Sequence, residues 1–410
     1  MRTRTFWRAC LFTALVLLLP GLVKAQDATG LGSPDVMYPL PLSNRPDLGG
    51  FVCSAEYVMF RQTNPLRDQI VAYRGFTDTD GSIAGSFFGL PNTPGTKFGS
   101  QREALNTHQA TGPNDYSPGF KIDLGYKFDT GGELLFSWMF LTQHQTHASA
   151  TSVPFGFNAG PDLADSFLFS PVYGFPNDYA GAFDVNHRKL PVGNLLAAYG
   201  IWNGASIETI SFTQRTQQYE ITWRDVVFET DNYRLSYLVG PRFFWFWEKF
   251  AWRTSDINID TGEGGPLDTA IYSNIVSNRL YGAHAGFSQE CYLGHGFAVQ
   301  TDIEVAMLLD VVREKAEYRT GAKFGLPQPT AESKRTITTF APVPEINGSI
   351  NLVWYPIQSV QVRLGYNAMA FFNTVSSPRP IDFNYGSLTP RYESTFRLLD
   401  GLNFGVAIIW

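Results

Sequence analysis

The sequence predicts an all-β protein, an antiparallel transmembrane β-barrel of about ten strands (range roughly 8–12) with short periplasmic turns and long extracellular loops. Three observations lead there. First, residues 402–410 read Leu-Asn-Phe-Gly-Val-Ala-Ile-Ile-Trp, with large apolar side chains at every even position and small or polar ones between until Ile409. That is the period of two of a strand with one greasy face. Second, segments of this kind recur in pairs, with a short turn inside each pair and a long polar stretch between pairs. Third, beyond the first 25 residues no stretch approaches the ~20 apolar residues that a membrane helix needs. A barrel strand meets lipid only at every second residue, so its mean hydropathy stays close to that of a soluble chain.

The first 25 residues read as a cleaved signal peptide. Arg2, Arg4 and Arg8 supply a positive flank, Leu11 to Leu19 an apolar core too short to span, and Val23-Lys24-Ala25 a small-residue cleavage site. Residues 26–50, with Pro34, Pro39, Pro41 and Pro46, are expected to form an irregular periplasmic linker, and 51–410 the barrel. Removing the leader's four basic residues leaves 27 Lys and Arg against 37 Asp and Glu, a net charge of −10. That balance argues against a nucleic-acid partner. Cys53 and Cys291 remain in the mature chain, both near periplasmic strand ends on strands far apart in order; a disulfide between them is open but not favoured, since nothing in the pattern brings them together.

In chain order, Phe51 to Met59 alternate as the first strand, and a polar stretch rich in Gly and Pro runs to Pro118. Phe120 to Phe128 and Leu134 to Phe140 form a hairpin about Asp129-Thr130-Gly131-Gly132. A second long loop covers roughly 144–213 on the same pattern. Tyr219 to Arg224 and Tyr233 to Trp247 make the next pair, and the third loop ends near Asn278. Tyr281 to Ser288 and Phe297 to Met307 pair across a turn around Tyr292 to Gly296. Residues 313–344 form the fourth loop. Ile346 to Trp354 and Val360 to Asn367 follow, then a last loop with Pro378 and Pro380 before the closing strand. Every short turn falls on the side of the C-terminus and every long loop on the other, the asymmetry of an outer-membrane barrel.

The polar face carries Glu56, Lys121, Asp123, Lys127, Glu220, Arg224, Arg234, Asp302, Glu304 and Arg363. In a narrow barrel these point into a lumen largely filled by side chains, and charges of both signs there should pair. His284 is expected to join them. Two readings follow: a salt-bridged structural plug, or a selectivity constriction in a small pore. Aromatic residues, 15% of the chain, fit girdles at both interfaces. Trp245, Trp247 and Trp252, with Phe371 and Phe372, would mark the outer rim, and Tyr292, Trp354, Tyr355 and Trp410 the inner.

Several stretches together resemble the outer-membrane β-barrel proteins of planctomycete-type bacteria, a functionally uncharacterised family. They are Ala55-Glu56-Tyr57-Val58, Gly119 to Tyr126, Tyr233-Arg234-Leu235 with Leu238 to Phe243, Leu280-Tyr281-Gly282 with Ala285-Gly286, and Pro344-Glu345-Ile346. Val362 to Asn367, Pro378 to Asp382 and Gly401 to Gly405 complete the set. The resemblance covers most of 51–410, departs at Pro241 and in the second loop, and implies barrel and location but no activity.

A structural or small-solute permeability role follows. The alternatives are a surface-binding barrel acting through its aromatic loop (Phe155, Phe157, Phe167, Phe169, Tyr173, Phe175, Tyr179) and an outer-membrane enzyme. For the enzyme, Gly-x-Ser-x-Gly and His-Glu-x-x-His are absent, and His144 and His147, three apart on a strand, point to opposite faces. No catalytic residue, metal or cofactor is expected. The partners expected are outer-membrane lipid, the barrel-assembly machinery and an extracellular ligand of unknown kind.

Trp410 is expected to anchor the closing strand at the periplasmic interface, with that strand pairing to Phe51–Phe60. Deleting Trp410, or adding a charged tail after it, should leave the protein exported but poorly assembled. The readout is the heat-modifiable gel shift of a folded barrel, and a truncated protein that shifts like the intact one would make the terminal ring incidental.

Overall fold

A computed structural model describes residues 49–78, 96–112, 116–128, 131–152, 167–173, 202, 204–255, 269–320, 332–357 and 359–410. The expected signal peptide, nearly all of the linker, and most of the aromatic loop lie outside the described residues.

Ten long strands close a barrel, and among the described residues five short ones lie in the connections between them. In chain order they are β1 (Gly50–Gln62), β2 (Ile70–Arg74), β3 (Phe76–Asp78), β4 (Thr96–Phe98), β5 (Glu103–Asn106), β6 (Ser117–Lys127), β7 (Glu133–Thr151) and β8 (Leu168–Phe169). There follow β9 (Ile207–Thr230), β10 (Tyr233–Ser255), β11 (Thr269–Gly294), β12 (Phe297–Thr320), β13 (Glu332–Ile357), β14 (Val360–Arg379) and β15 (Arg391–Ile409). The barrel order is β1-β15-β14-β13-β12-β11-β10-β9-β7-β6, every neighbour antiparallel, and β6 returns to β1. Each of the ten alternating segments of the sequence falls on one of these strands, with only Phe128 and Trp410 just past a strand end. The closing strand pairs as expected, Tyr57 opposite Phe404 and Cys53 opposite Ile408.

Tight turns join β6 to β7, β9 to β10, β11 to β12 and β13 to β14, all at the end that also holds Gly50 and Trp410. The β11–β12 turn places His295 (φ 55°) and Gly296 (φ 80°) in the left-handed region. Two successive positive φ values match the strand twist in a two-residue hairpin, and glycine adopts one without strain. The five remaining connections are at the far end, outside the cell. Cys53 and Cys291 are both free thiols, on β1 and β11.

The strands run well past the membrane. β10 has 23 residues and β11 has 26, where a tilted strand needs about 9–11 to cross the hydrocarbon. Much of the loops expected before Asn278, at 313–344 and around Pro378 is therefore strand, and the loop expected at roughly 144–213 is shortened at both ends by β7, which runs to Thr151, and β9, which begins at Ile207. The reason shows on β10. Up to Trp247 the outward residues are apolar: Tyr237, Val239, Phe243, Trp245 and Trp247. Beyond it the outward positions are Lys249, Ala251 and Arg253, and the inward ones Phe250 and Trp252. The alternation persists but changes sign, as it must when the outer medium changes from lipid to water.

One seam departs from the regular wall. β13 pairs with β12 along nearly its whole length, but with β14 only from Glu345 to Ile357. Pro342 and Pro344 lie just above that point, and proline has no N–H to give a second neighbour. β14 turns away at Asn373, whose φ is 72° and whose Nδ2 donates to Pro342 O at 2.8 Å. Its upper part leans into the barrel, where Asn278 Nδ2 donates to Val375 O at 2.9 Å.

Leu364 on β14 is 52% exposed and faces lipid, whereas Asn367 faces the lumen. Leu364→Arg should cost roughly 2–4 kcal/mol of stability in a bilayer, the range for a charge on the lipid face at mid-depth. Asn367→Arg should cost much less. Urea titration in lipid vesicles compares them, and equal losses would refute the two-faced assignment.

Candidate lumenal site

The lumen is stacked in layers, which the strands set by register. At the turn end Tyr355 and Tyr292 pack ring on ring at 6.4 Å, and both hydroxyls donate to Glu290 Oε1, at 2.9 and 2.8 Å. Tyr355 was expected at the lipid interface. It is 8% exposed because it follows the outward Trp354 by one residue and so takes the opposite face.

Above lies a charged layer. Lys121 Nζ is 3.5 Å from Asp123, which also accepts from Ser54 Oγ at 2.6 Å. Arg363 Nη1 lies 3.4 Å from Glu56, whose other oxygen accepts from Asn403. Arg224 faces Glu133 at 3.5 Å. Asp302 accepts from Ser288, Gln300 and Ser349 rather than forming a direct ion pair. Lys127 and Arg234 sit lower, near the turns, and Arg234 pairs with Glu229 at 2.9 Å.

The centre of this layer is Arg242, which sequence reasoning missed. It is 3% exposed and its guanidinium binds three carboxylates. Nε donates to Glu220 Oε2 at 2.8 Å, Nη1 to Glu345 Oε1 at 2.8 Å, and Nη2 to Glu304 Oε2. The signal was in the sequence: Arg242 keeps the inward phase of Arg234 on the same strand. Pro241 and the aromatic run after it hid that phase. Glu345, also missed, alternates with Pro344 and Ile346. His284, 1% exposed, lies close by and shares a hydrogen bond of 3.1 Å with Thr222. Ligating atoms of Glu220, His284 and Glu304 fall within 4.8 Å of one another, a spacing that could hold a metal ion. The guanidinium of Arg242 already binds both carboxylates of that group. A cavity of about 90 Å³ lies beside these groups, lined by Glu56, Lys121, Asp123, Glu220, Arg224, Asp302, Glu304 and Arg363 among others.

Next comes an apolar layer. Val58, Phe60, Met139, Leu141, Phe244, Phe246, Leu280, Ala306, Leu308, Val343, Met369, Phe371 and Leu399 form one buried cluster drawn from eight of the ten strands. Phe371 meets Phe244 and Phe246 edge-on at 4.8 and 4.9 Å. Phe371 was expected at the outer rim; its neighbour Phe372 is the exposed one. Above this layer Arg397 Nη1 donates to Glu248 at 2.6 Å and its guanidinium lies over the Phe246 ring at 4.8 Å.

The extracellular part is closed by a second apolar cluster. It joins Trp252, Tyr272 and Tyr318 of the wall to Val71, Leu105 and Leu168 of an inserted sheet ordered β5-β2-β8, and to Trp202 and Tyr385. Trp252, expected at the outer rim, is buried here because it lies an odd number of residues from Trp247. Trp245 and Trp247 do face outward, with Trp245 Nε1 donating to Ser277 Oγ at 2.9 Å. Trp354 and Trp410 are exposed at the turn end. Glu208, in the extracellular part of β9, accepts from Trp252 Nε1 at 2.9 Å and from Ser170 Oγ at 3.1 Å. Burial pushes its carboxyl up to about 8, against those two donors, so it is mostly uncharged at neutral pH.

A closed ring of ten antiparallel strands, with an apolar outer band, paired charges inside it and short turns at one end, defines an outer-membrane β-barrel. Residues 84–409 match the family model of the Legionella pneumophila major outer membrane protein precursor, and the chain belongs to that family of outer-membrane proteins. No curated protein matches the sequence. Among solved structures, the outer membrane protease OmpT from Escherichia coli aligns over 89% of this chain and 97% of its own, at 7% identity and a TM-score of 0.39. A Pseudomonas aeruginosa FadL homologue (88% and 89%, 8% identity, TM-score 0.21) and the Pseudomonas putida toluene transporter TodX (90% and 91%, 9% identity, TM-score 0.21) also align.

Replacing Arg242 with Met would leave Glu220, Glu304 and Glu345 without their shared cation. Removing one partner of a buried pair typically costs about 3–5 kcal/mol. R242M should therefore lower the unfolding midpoint far more than K127M at the turn end. Thermal scans of the heat-modifiable gel shift would show it, and equal effects would make the network incidental.

Proposed function

We propose that this protein is a closed outer-membrane barrel with a structural role, its lumen a plug rather than an open pore. One observation carries this: the apolar layer of thirteen side chains from eight strands across the lumen. An aqueous path needs polar lining throughout, and a packed apolar constriction excludes water and ions. The extracellular cluster gives a second barrier. Small-solute permeability would require this packing to open. The pairing of the lumenal charges supports the same reading, since buried charges held by one another stabilise a filled barrel. The leader-like first 25 residues support export, and the exposed closing strand with Trp410 supports recognition by the barrel-assembly machinery. The order of short motifs from Ala55 to Gly405 supports a planctomycete-type member of the family.

A binding role rests on a separate observation. Where β14 leaves β13, a cavity of about 180 Å³ lies among Glu314, Ala316, Arg335, Ile337, Leu388, Thr389, Pro390 and Tyr392. Its size suits a solute of about one ring, since a cavity of about 150 Å³ takes benzene. Here the extracellular end, not the lumen, would meet a ligand.

Planar-bilayer recording decides between plug and pore. The intact protein should show no stepwise conductance. Replacing Phe244, Phe246 and Phe371 of the middle layer by Ala, together with Trp252, Tyr318 and Tyr385 of the extracellular cluster, should produce ion-conducting openings. Regular porin-like steps from the intact protein would overturn the closed-barrel reading.

A further inference from the structure

Just above the lipid band, the outer wall of β9 to β12 is basic. The registers set the residues side by side. Arg215 lies opposite Trp247, Trp247 opposite Ser277, and Ser277 opposite Arg313. One step toward the membrane, Trp245 lies opposite Arg279 and Arg279 opposite Val311. One step away from it, Lys249 lies opposite Ile275. Adjacent strands are about 4.8 Å apart and alternate residues along a strand about 6.8 Å, so these four cations fall within roughly 15 Å.

Arg215, Arg279 and Arg313 are exposed and Lys249 half-buried. The Arg215 guanidinium lies over the Trp247 ring at 4.9 Å, with Nε donating to Gln143. Among the described residues, Lys249, Arg279 and Arg313 make no side-chain hydrogen bond or ion pair. No outward position of 207–217, 245–255 or 271–281 holds a carboxylate, and the outward Glu317 of β12, two positions further out than Lys315, is already held by Lys315 and Arg319. The other side of the barrel differs. There Arg61 is paired with Asp400 at 2.9 Å, Arg67 with Glu393 at 3.3 Å, and Arg391 with Glu393 at 2.7 Å. The mature chain is expected to carry net negative charge, so four unneutralised cations on one wall stand against its average.

Directly below them the same strands present Phe243, Trp245, Tyr281, Met307 and Leu309 to lipid. The wall is thus cationic over apolar, at the depth where a lipid headgroup joins its chains. We propose that this face binds the phosphorylated headgroup of an anionic outer-leaflet lipid, with acyl chains along Tyr281, Met307 and Leu309. Arg279 and Arg313 lie nearest the apolar rows and would take the phosphate oxygens, since guanidinium matches them in forked geometry. Lys249 would add charge from above. A soluble polyanion would not use the apolar rows beneath, and a neutral lipid would not need the cations.

The test uses the full chain in neutral detergent micelles, with dioleoyl phosphatidic acid, dioleoyl phosphatidylcholine or inorganic phosphate added separately. Phosphatidic acid should stay bound in native mass spectrometry and raise the unfolding midpoint, while the other two should do neither. The triple variant Lys249→Gln, Arg279→Gln, Arg313→Gln should bind phosphatidic acid about 100-fold more weakly, at roughly fivefold per cation. Arg67→Gln with Arg391→Gln, on the other wall, should bind as the intact protein does. If the triple variant loses its heat-modifiable shift, Arg279→Gln alone should still show the fivefold loss. Unchanged binding in the variants, equal retention of phosphatidylcholine, or the same midpoint shift from inorganic phosphate would each overturn the proposal.

Discussion

The structure depends on one constraint: inside hydrocarbon every backbone N–H and C=O must find a partner within the protein. An open sheet leaves two rows of them unpaired at several kcal/mol each. The bond between the first and last long strands, from Val52–Ile409 up to Gln62–Leu399, removes both rows at once. The same constraint explains where the wall is allowed to open. β13 and β14 pair without a break from Trp354–Val362 up to Glu345–Phe371, within the lipid-facing region. They part only above it, where water can satisfy the freed groups. Pro342 and Pro344, which have no N–H to satisfy, sit at the parting.

Closing ten strands leaves a narrow interior, and the chain fills it differently at each height. Charges and amides occupy the turn half, aliphatic and aromatic rings the middle, and an inserted sheet with its aromatic cluster the extracellular part. The order follows from the surroundings. Next to lipid the outer face must be apolar, so the inner face can be polar provided its charges pair. Beyond the membrane the outer face must be polar, and the inner face becomes the core of what is in effect a water-soluble barrel. Phe243 to Trp247 mark the crossover, where apolar side chains stand on both faces.

Arg242 shows how such an interior is held. One guanidinium bridges β9, β12 and β13 from β10 through Glu220, Glu304 and Glu345. It ties strands that are not all neighbours in the wall, so the network resists both ovalisation of the barrel and slippage of register. A planar, permanently charged fork with five donors suits this position, and a lysine could not make the three contacts in the same geometry.

The sequence by itself determined the ten strands, their order of short and long connections, and the sidedness of the barrel, because alternation with period two is local and survives without any partner. It determined that Glu56, Lys121, Asp123 and Arg363 share a face. It did not determine how far the strands extend, since the alternation changes sign above the membrane and reads there as loop. Nor did it fix the facing of Trp252, Phe371 and Tyr355, for in an aromatic-rich run composition says nothing and only parity along the strand decides. Arg242 and its three carboxylates come from four strands spread between Glu220 and Glu345, and only closure brings them together. The plug and the one-sided basic wall are likewise tertiary: each is a row across strands, set by register, and no single segment of the chain contains it.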